Sequence, residues 1–122
     1  MQISLDSYQG KYYITAYGQD SVSINQQPIK HSLIVSSTQL IEPWRPTSIT
    51  ELNQDDLRAI FALTPEIVLL GTGCELQLPM LDINMLFYQQ NIGIEIMNTG
   101  AACRTFDALM SEGRNVVAAL II

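Results

Sequence analysis

Two glycine-containing turns, an arginine and a cysteine are the residues of this chain best suited to chemistry. Gly71-Thr72-Gly73 and Asn98-Thr99-Gly100 each follow an apolar, strand-like run and lead toward a helical one. Open α/β sheets take ligands at the carboxyl ends of their strands. The free N–H groups of a following helix favour anions there. Arg104 is expected in the first turn of the second helix, at the same edge. Thr72, Gly73, Asn98, Thr99 and Arg104 are therefore a candidate site for a small anion. The competing reading is that the glycines and Thr99 only build turns and caps. A Gly-x-Gly-x-x-Gly fingerprint fails because Leu76 stands at its third glycine, and no Gly-Lys-Ser/Thr occurs. No dinucleotide, nucleoside triphosphate or other cofactor is expected.

Cys103 is expected about one turn into a helix, where the dipole lowers a thiol pKa, beside Arg104. It is the candidate reactive thiol. A nucleophile also needs a base, and the sole histidine, His31, lies far away in the sequence, in a β-rich half. The competing reading packs Cys103 as a small hydrophobe beside Ala102 and Phe106. Cys74 follows a glycine turn and reads the same way. No catalytic residue is assigned. Asp55-Asp56 reads as a solvated first helical turn, and no spacing pairs Glu75 with Glu95 as an acid/base couple. With one histidine, two cysteines and no Cys-x-x-Cys, no metal site is expected.

The 122 residues are expected to form one domain, 1–122. Six basic against twelve acidic residues leave a net charge of −6. That balance opposes nucleic acid, whose phosphates need a basic surface, and an anionic membrane surface. No basic-then-apolar leader opens the chain, and the longest apolar runs, Ile67–Leu70 and Val116–Ile122, are too short to span a bilayer. Two unpaired thiols fit a reducing compartment, so a cytoplasmic location is expected.

The elements that must position these residues follow from patterning. Tyr12–Tyr17 is dense in aromatic and β-branched residues, and Val22 and Ile24 alternate with polar neighbours. Asn25-Gln26-Gln27-Pro28 reads as a turn, and Ser32–Val35 as a third strand reaching toward Ile41. These three predict an antiparallel meander. Beyond Pro43-Trp44-Arg45-Pro46 the pattern changes. Asn53 caps a helix whose core face is Leu57, Ile60 and Phe61 and which ends at Thr64-Pro65. Strand Ile67–Leu70, helix Pro79–Gln90, strand Gly93–Met97, helix Ala101–Glu112 stopped by Gly113, and strand Val116–Ile122 follow. The expected fold is a three-layer α/β domain: an N-terminal β-meander feeding a parallel βαβαβ half in one mixed sheet.

The helix over Pro79–Gln90 carries Met80, Leu81, Ile83, Met85, Leu86, Phe87 and Tyr88 around nearly its whole circumference. Such a helix is buried on several sides or presents an apolar face to a partner. Met80, Leu81, Met85, Phe87 and Tyr88 are the candidate interface, for a protein partner or a second copy. Tyr12, Tyr13, Tyr17 and Trp44 are further interface candidates, with core packing as the alternative.

Four segments also resemble a known family: Ile14-x-Ala16-Tyr17-Gly18, Ser32-Leu33-Ile34-Val35, Leu69-Leu70-Gly71-Thr72-Gly73 and, above all, Gly93-Ile94-Glu95-Ile96-Met97-Asn98-Thr99-Gly100-Ala101-Ala102-Cys103-Arg104-Thr105-Phe106-Asp107. The family is one of small uncharacterised bacterial and archaeal domains. Its eukaryotic relatives include a mitochondrial complex I assembly factor and an adipogenesis-associated protein. The resemblance implies a three-layer α/β fold around a mixed sheet and an assembly or interaction role. Asn98 stands where the family more often has Asp, and Gly100 where a basic residue is common. The reading drawn is a non-enzymatic protein acting through protein contact. The alternative is small-molecule or anion binding at the two turns, with Cys103 as nucleophile.

Overall fold

A computed structural model describes residues 8–122. The first seven residues, read above for a leader, lie outside the described residues. Eight strands and three α-helices follow in the order β1 (Ile14–Tyr17), β2 (Val22–Ile24), β3 (Gln27–Ile29), β4 (Leu33–Ser36), β5 (Leu40–Ile41), α1 (Arg58–Ala62), β6 (Ile67–Gly71), α2 (Ile83–Gln89), β7 (Gly93–Met97), α3 (Thr99–Ser111) and β8 (Val116–Leu120).

The meander differs from the expectation in its third strand. Asn25 and Gln26 adopt φ of 50° and 73°, a two-residue turn that the right-handed strand twist favours. The Asn25 side chain accepts from the Tyr13 N–H and donates to the Lys11 carbonyl. The reversal takes only the first two residues of the expected four-residue turn, so Gln27–Ile29 is already strand and pairs with β2. Strands β1, β2 and β3 form a separate antiparallel sheet. The run from Ser32 breaks at Ser36, whose hydroxyl accepts from the Thr38 and Gln39 N–H groups. It becomes the hairpin β4–β5 and joins the larger sheet.

That sheet has the order β5-β4-β8-β6-β7. β4 is antiparallel to β5 and β8, while β6 is parallel to β7 and β8. The βαβαβ half is as expected. The path runs outward from β6 to β7, then back over β6 to β8. Right-handed crossovers in opposite directions put their helices on opposite faces. Accordingly, Ala102, Cys103 and Phe106 of α3 pack with Leu69, Ala118 and the inner face of the small sheet. Ile83 and Phe87 of α2 pack on the other face with Val68, Leu70, Ile60 and Trp44. The large sheet is the middle of three layers. Every residue of β8 is buried, as strands covered on both faces require.

Three helices differ from their expected spans. Asn53 forms the expected cap, with the Asp56 carboxylate accepting from the Asn53 N–H in return, but the first turn is 3-10 (Gln54–Leu57) before α1 begins. Helix α3 starts at Thr99, because Asn98 is its cap and accepts from the Ala101 N–H. Helix α2 is much shorter than Pro79–Gln90. It starts after Asp82, whose side chain accepts from the Met85 N–H. Upstream, the Thr72 hydroxyl donates to the Glu75 carbonyl and accepts from the Gln77 N–H, tying residues 72–77 into a loop. Strand β8 ends at Leu120, with the Ile122 N–H turned to the Ser32 hydroxyl.

Candidate functional site

The two glycine-containing turns do lie side by side at the carboxyl ends of β6 and β7. The Thr99 N–H donates to the Gly73 carbonyl at 2.8 Å, and the Gly73 N–H donates to the Thr99 hydroxyl at 2.8 Å. That hydroxyl in turn donates to the Ile121 carbonyl at 2.8 Å. The chain leaves β6 toward one face and β7 toward the other, so this is the point where ligands enter open α/β sheets. Here protein fills it. A Cβ on Gly71 would lie 2.9 Å from the Thr99 hydroxyl and 2.9 Å from Leu120, so glycine is needed for the approach. A cavity of about 80 Å³ remains beside Gly73, Cys74, Thr99 and Gly100, facing Gly18 and Ser21.

The candidate anion donors are engaged within the protein. The Gly73 N–H is on Thr99, the Ala101 N–H is on the Asn98 side chain, and the Thr72 hydroxyl is on its own loop. Arg104 is not in the first helical turn, because α3 begins at Thr99 rather than Ala101. Its guanidinium lies 5.7 Å from the Tyr17 ring centre and donates to the Tyr17 hydroxyl. Tyr17 covers the start of α3, where a Cβ on Gly100 would meet its ring at 3.0 Å.

Cys103 is 1% exposed, inside the core with Ala102 and Phe106. Burial, then the nearby Asp107 carboxylate, push its thiol up to about 12, against a smaller downward pull from Arg104. The expected lowering is corrected, since Cys103 lies past the first turn and removal from water dominates the dipole. Cys74 is exposed, and its thiol donates to the Gln19 carbonyl. His31 is exposed and pairs with Glu42 at 2.7 Å. Among the described residues no group of three or more His, Cys, Asp or Glu could hold a metal.

Asp56 is the ionised group that sequence reasoning placed wrongly. It is buried, not solvated. Arg45 donates to its two carboxylate oxygens at 2.8 and 2.7 Å, and the Trp44 indole N–H donates to its carbonyl. The Arg45 hydrogen bond holds the Asp56 carboxyl below its usual range, more strongly than burial raises it. Trp44 is thereby a core residue rather than an interface one. The change of pattern at Pro43-Trp44-Arg45-Pro46 was legible; the partner across it was not.

The α2 region divides the five interface candidates. Phe87 is fully buried against Phe61 and the sheet, so it is core and not interface. Leu81 is half-buried on the same cluster. Met80, Met85 and Tyr88 are exposed, and Leu76 and Leu78, which sequence reasoning did not single out, are exposed with them. These five range from 51% exposed at Met85 to 88% at Met80, and among the described residues the next most open large hydrophobe is Tyr17 at 43%. Leu78, Met80, Met85 and Tyr88 are joined through two shallow depressions. One, of about 260 Å³, runs from Leu78 and Met80 to Ile96 on β7; the other, of about 420 Å³, lies between Met85 and Tyr88, and both share Asp82 and Asn84. Elsewhere a groove of about 770 Å³ lies between the β2–β3 turn and β5. Tyr8 lines it, and its buried hydroxyl has no hydrogen-bond partner among the described residues.

Residues 14–121 match the model of a family described as "Protein of unknown function (DUF498/DUF598)". Over 122 residues the chain is 30% identical to the "13 kDa major membrane protein" of Francisella tularensis subsp. holarctica, covering 99% of both. It is 30% identical over 111 residues to a Xenopus tropicalis protein named NADH dehydrogenase [ubiquinone] 1 alpha subcomplex assembly factor 3, covering 89% of this chain and 60% of that one. The chain thus spans about three fifths of that assembly factor's length. A solution structure from Xanthomonas campestris superposes with a TM-score of 0.84 at 33% identity, covering 100% of this chain and 92% of that one. Among the described residues no helix is long and apolar enough to cross a membrane.

Proposed function

We propose, from the premise that this chain belongs to the DUF498/DUF598 family of proteins of unknown function, that it works by holding another protein in the manner of an assembly factor, and not by catalysis. The observation that carries this reading is the exposed run Leu76, Leu78, Met80, Met85 and Tyr88. A monomer gains nothing by leaving such a patch in water, and Met and aromatic side chains are favoured at interface centres. The assembly factors among the relatives support the direction. We place the protein in the cytoplasm, where the unpaired Cys74 and Cys103 stay reduced.

The alternative, an anion or small-molecule site at Thr72, Gly73, Asn98, Thr99 and Arg104 served by Cys103, is the weaker reading. Its N–H donors are occupied, and its thiol is buried and protonated at neutral pH. The two are separated by affinity capture from the native cell. A tagged wild-type chain is compared with the variant Leu78→Ser, Met80→Ser, Tyr88→Ser, which alters only exposed side chains. The expected result is a co-purifying protein lost with the variant while its thermal unfolding is unchanged. An identical capture profile from both chains overturns the reading.

A further inference from the structure

Strand β7 is the longer free edge of the large sheet; the opposite edge, β5, has two residues. The Gly93 N–H donates to the Glu66 carbonyl, and the Met97 carbonyl accepts from the Thr72 N–H. By alternation the N–H and C=O groups of Ile94 and Ile96 point outward, and among the described residues none of them has a partner. Natural edges are blunted by lysine, proline or a bulge. β7 has none of these, only Gly93 and one carboxylate, Glu95. The apolar patch runs onto this edge through the depression that joins Leu78 and Met80 to Ile96.

Charge selects the occupant. No lysine or arginine occurs between Arg58 and Arg104. Asp82 lines both depressions, Glu95 projects from β7 on the face opposite Ile94 and Ile96, and among the described residues neither has an ion-pair partner. A second copy of the chain, paired antiparallel through β7 about Glu95, would set carboxylate against carboxylate. An anionic bilayer would be repelled in the same way. We propose that β7 and the apolar run beside it take a basic, amphipathic extended segment of a partner protein. The segment adds as a sixth strand to the sheet, its main chain bonds Ile94 and Ile96, its apolar side chains continue the face of Ile94 and Ile96 toward Met80, and its cations, on the other face, meet Glu95. This deepens the contact reading above and rests on it.

The test uses the purified full chain and two synthetic probes, a short peptide alternating lysine with valine and its counterpart alternating glutamate with valine. Amide hydrogen exchange is followed residue by residue. The lysine peptide is expected to slow exchange at Ile94 and Ile96 by at least about tenfold, less so at high salt and less so in Glu95→Lys. The glutamate peptide is expected to leave both amides unchanged. Equal protection by both peptides, protection by neither, or a β7-paired dimer in light scattering without peptide overturns the proposal. Patch-dependent capture of a partner with no protection at β7 discards the basic strand alone and leaves the contact reading standing.

Discussion

Asp56 shows what a single buried carboxylate does when it is fully partnered. Arg45 grips both its oxygens, and one of them also accepts from the Asn53 N–H to close the helix cap. Removing it strands those donors and the cap together. Asp56→Ala is expected to cost about 2–3 kcal/mol and to lower the thermal midpoint by about 10 °C at pH 7. Its pKa is lowered in the folded state, so its contribution is whole above the unfolded value near ~4 and fades as pH falls through the folded value. Asp107 has the opposite sign. Burial raises its pKa despite the bond from the Ile14 N–H, so its contribution is present at acid pH and lost as pH rises through the raised value. Urea unfolding from acid to neutral pH should show a shallower acid limb in Asp56→Asn and a steeper one in Asp107→Asn. At the same scale, Cys74 should react with iodoacetamide at pH 7 while Cys103 stays unmodified in the folded protein, read by mass spectrometry. The cap at Asn53 was legible because capping is local. The Arg45–Asp56 pair crosses an irregular segment of the chain, where no periodicity reports what meets what.

At the scale of elements, the place where this fold class usually admits a ligand is closed by the Thr99 hydroxyl and the bare Cα of Gly71. Thr99→Val keeps the shape but leaves the Gly73 N–H and Ile121 carbonyl without their partner, at an expected cost of about 2 kcal/mol. Gly71→Ala forces a methyl against Thr99 and Leu120, and overpacking of this kind costs about 1–3 kcal/mol. Both are checked by chemical denaturation. Neither should gain or lose stabilisation by phosphate if the site is structural. The βαβαβ half was readable because its buried strands are continuous apolar runs and its turns carry glycine. The meander was less so. Its turn was read at Asn25-Gln26-Gln27-Pro28, but only the first two residues turn, and Gln27 and Pro28 lie in β3, an edge strand that tolerates proline. Helix α2 was overread because Met80 and Leu81 continue its apolar pattern, yet they precede Asp82, which caps it.

At the scale of the whole molecule, the two faces of the large sheet are covered, one by α3 and the small sheet, the other by α1, α2 and the 3-10 turns. Among the described residues a corner is left uncovered, where the loop before α2, the outer side of α2 and the β7 edge meet. The sequence pointed to this region but not to its composition. Phe87 belongs to the core, whereas Leu76 and Leu78 belong to the open surface, and that division depends on where the helix begins. The exposed side chains there touch little of their own protein, so Met80→Ser and Tyr88→Ser should each change stability by less than about 0.5 kcal/mol. The most direct measurement is photo-crosslinking in the native cell with a benzophenone amino acid at position 80, against the same group at the exposed Lys30 on another part of the surface. A protein adduct of defined mass from position 80 and none from position 30 is the predicted result. No protein adduct at position 80, or the same adducts from both positions, would contradict a partner-binding corner.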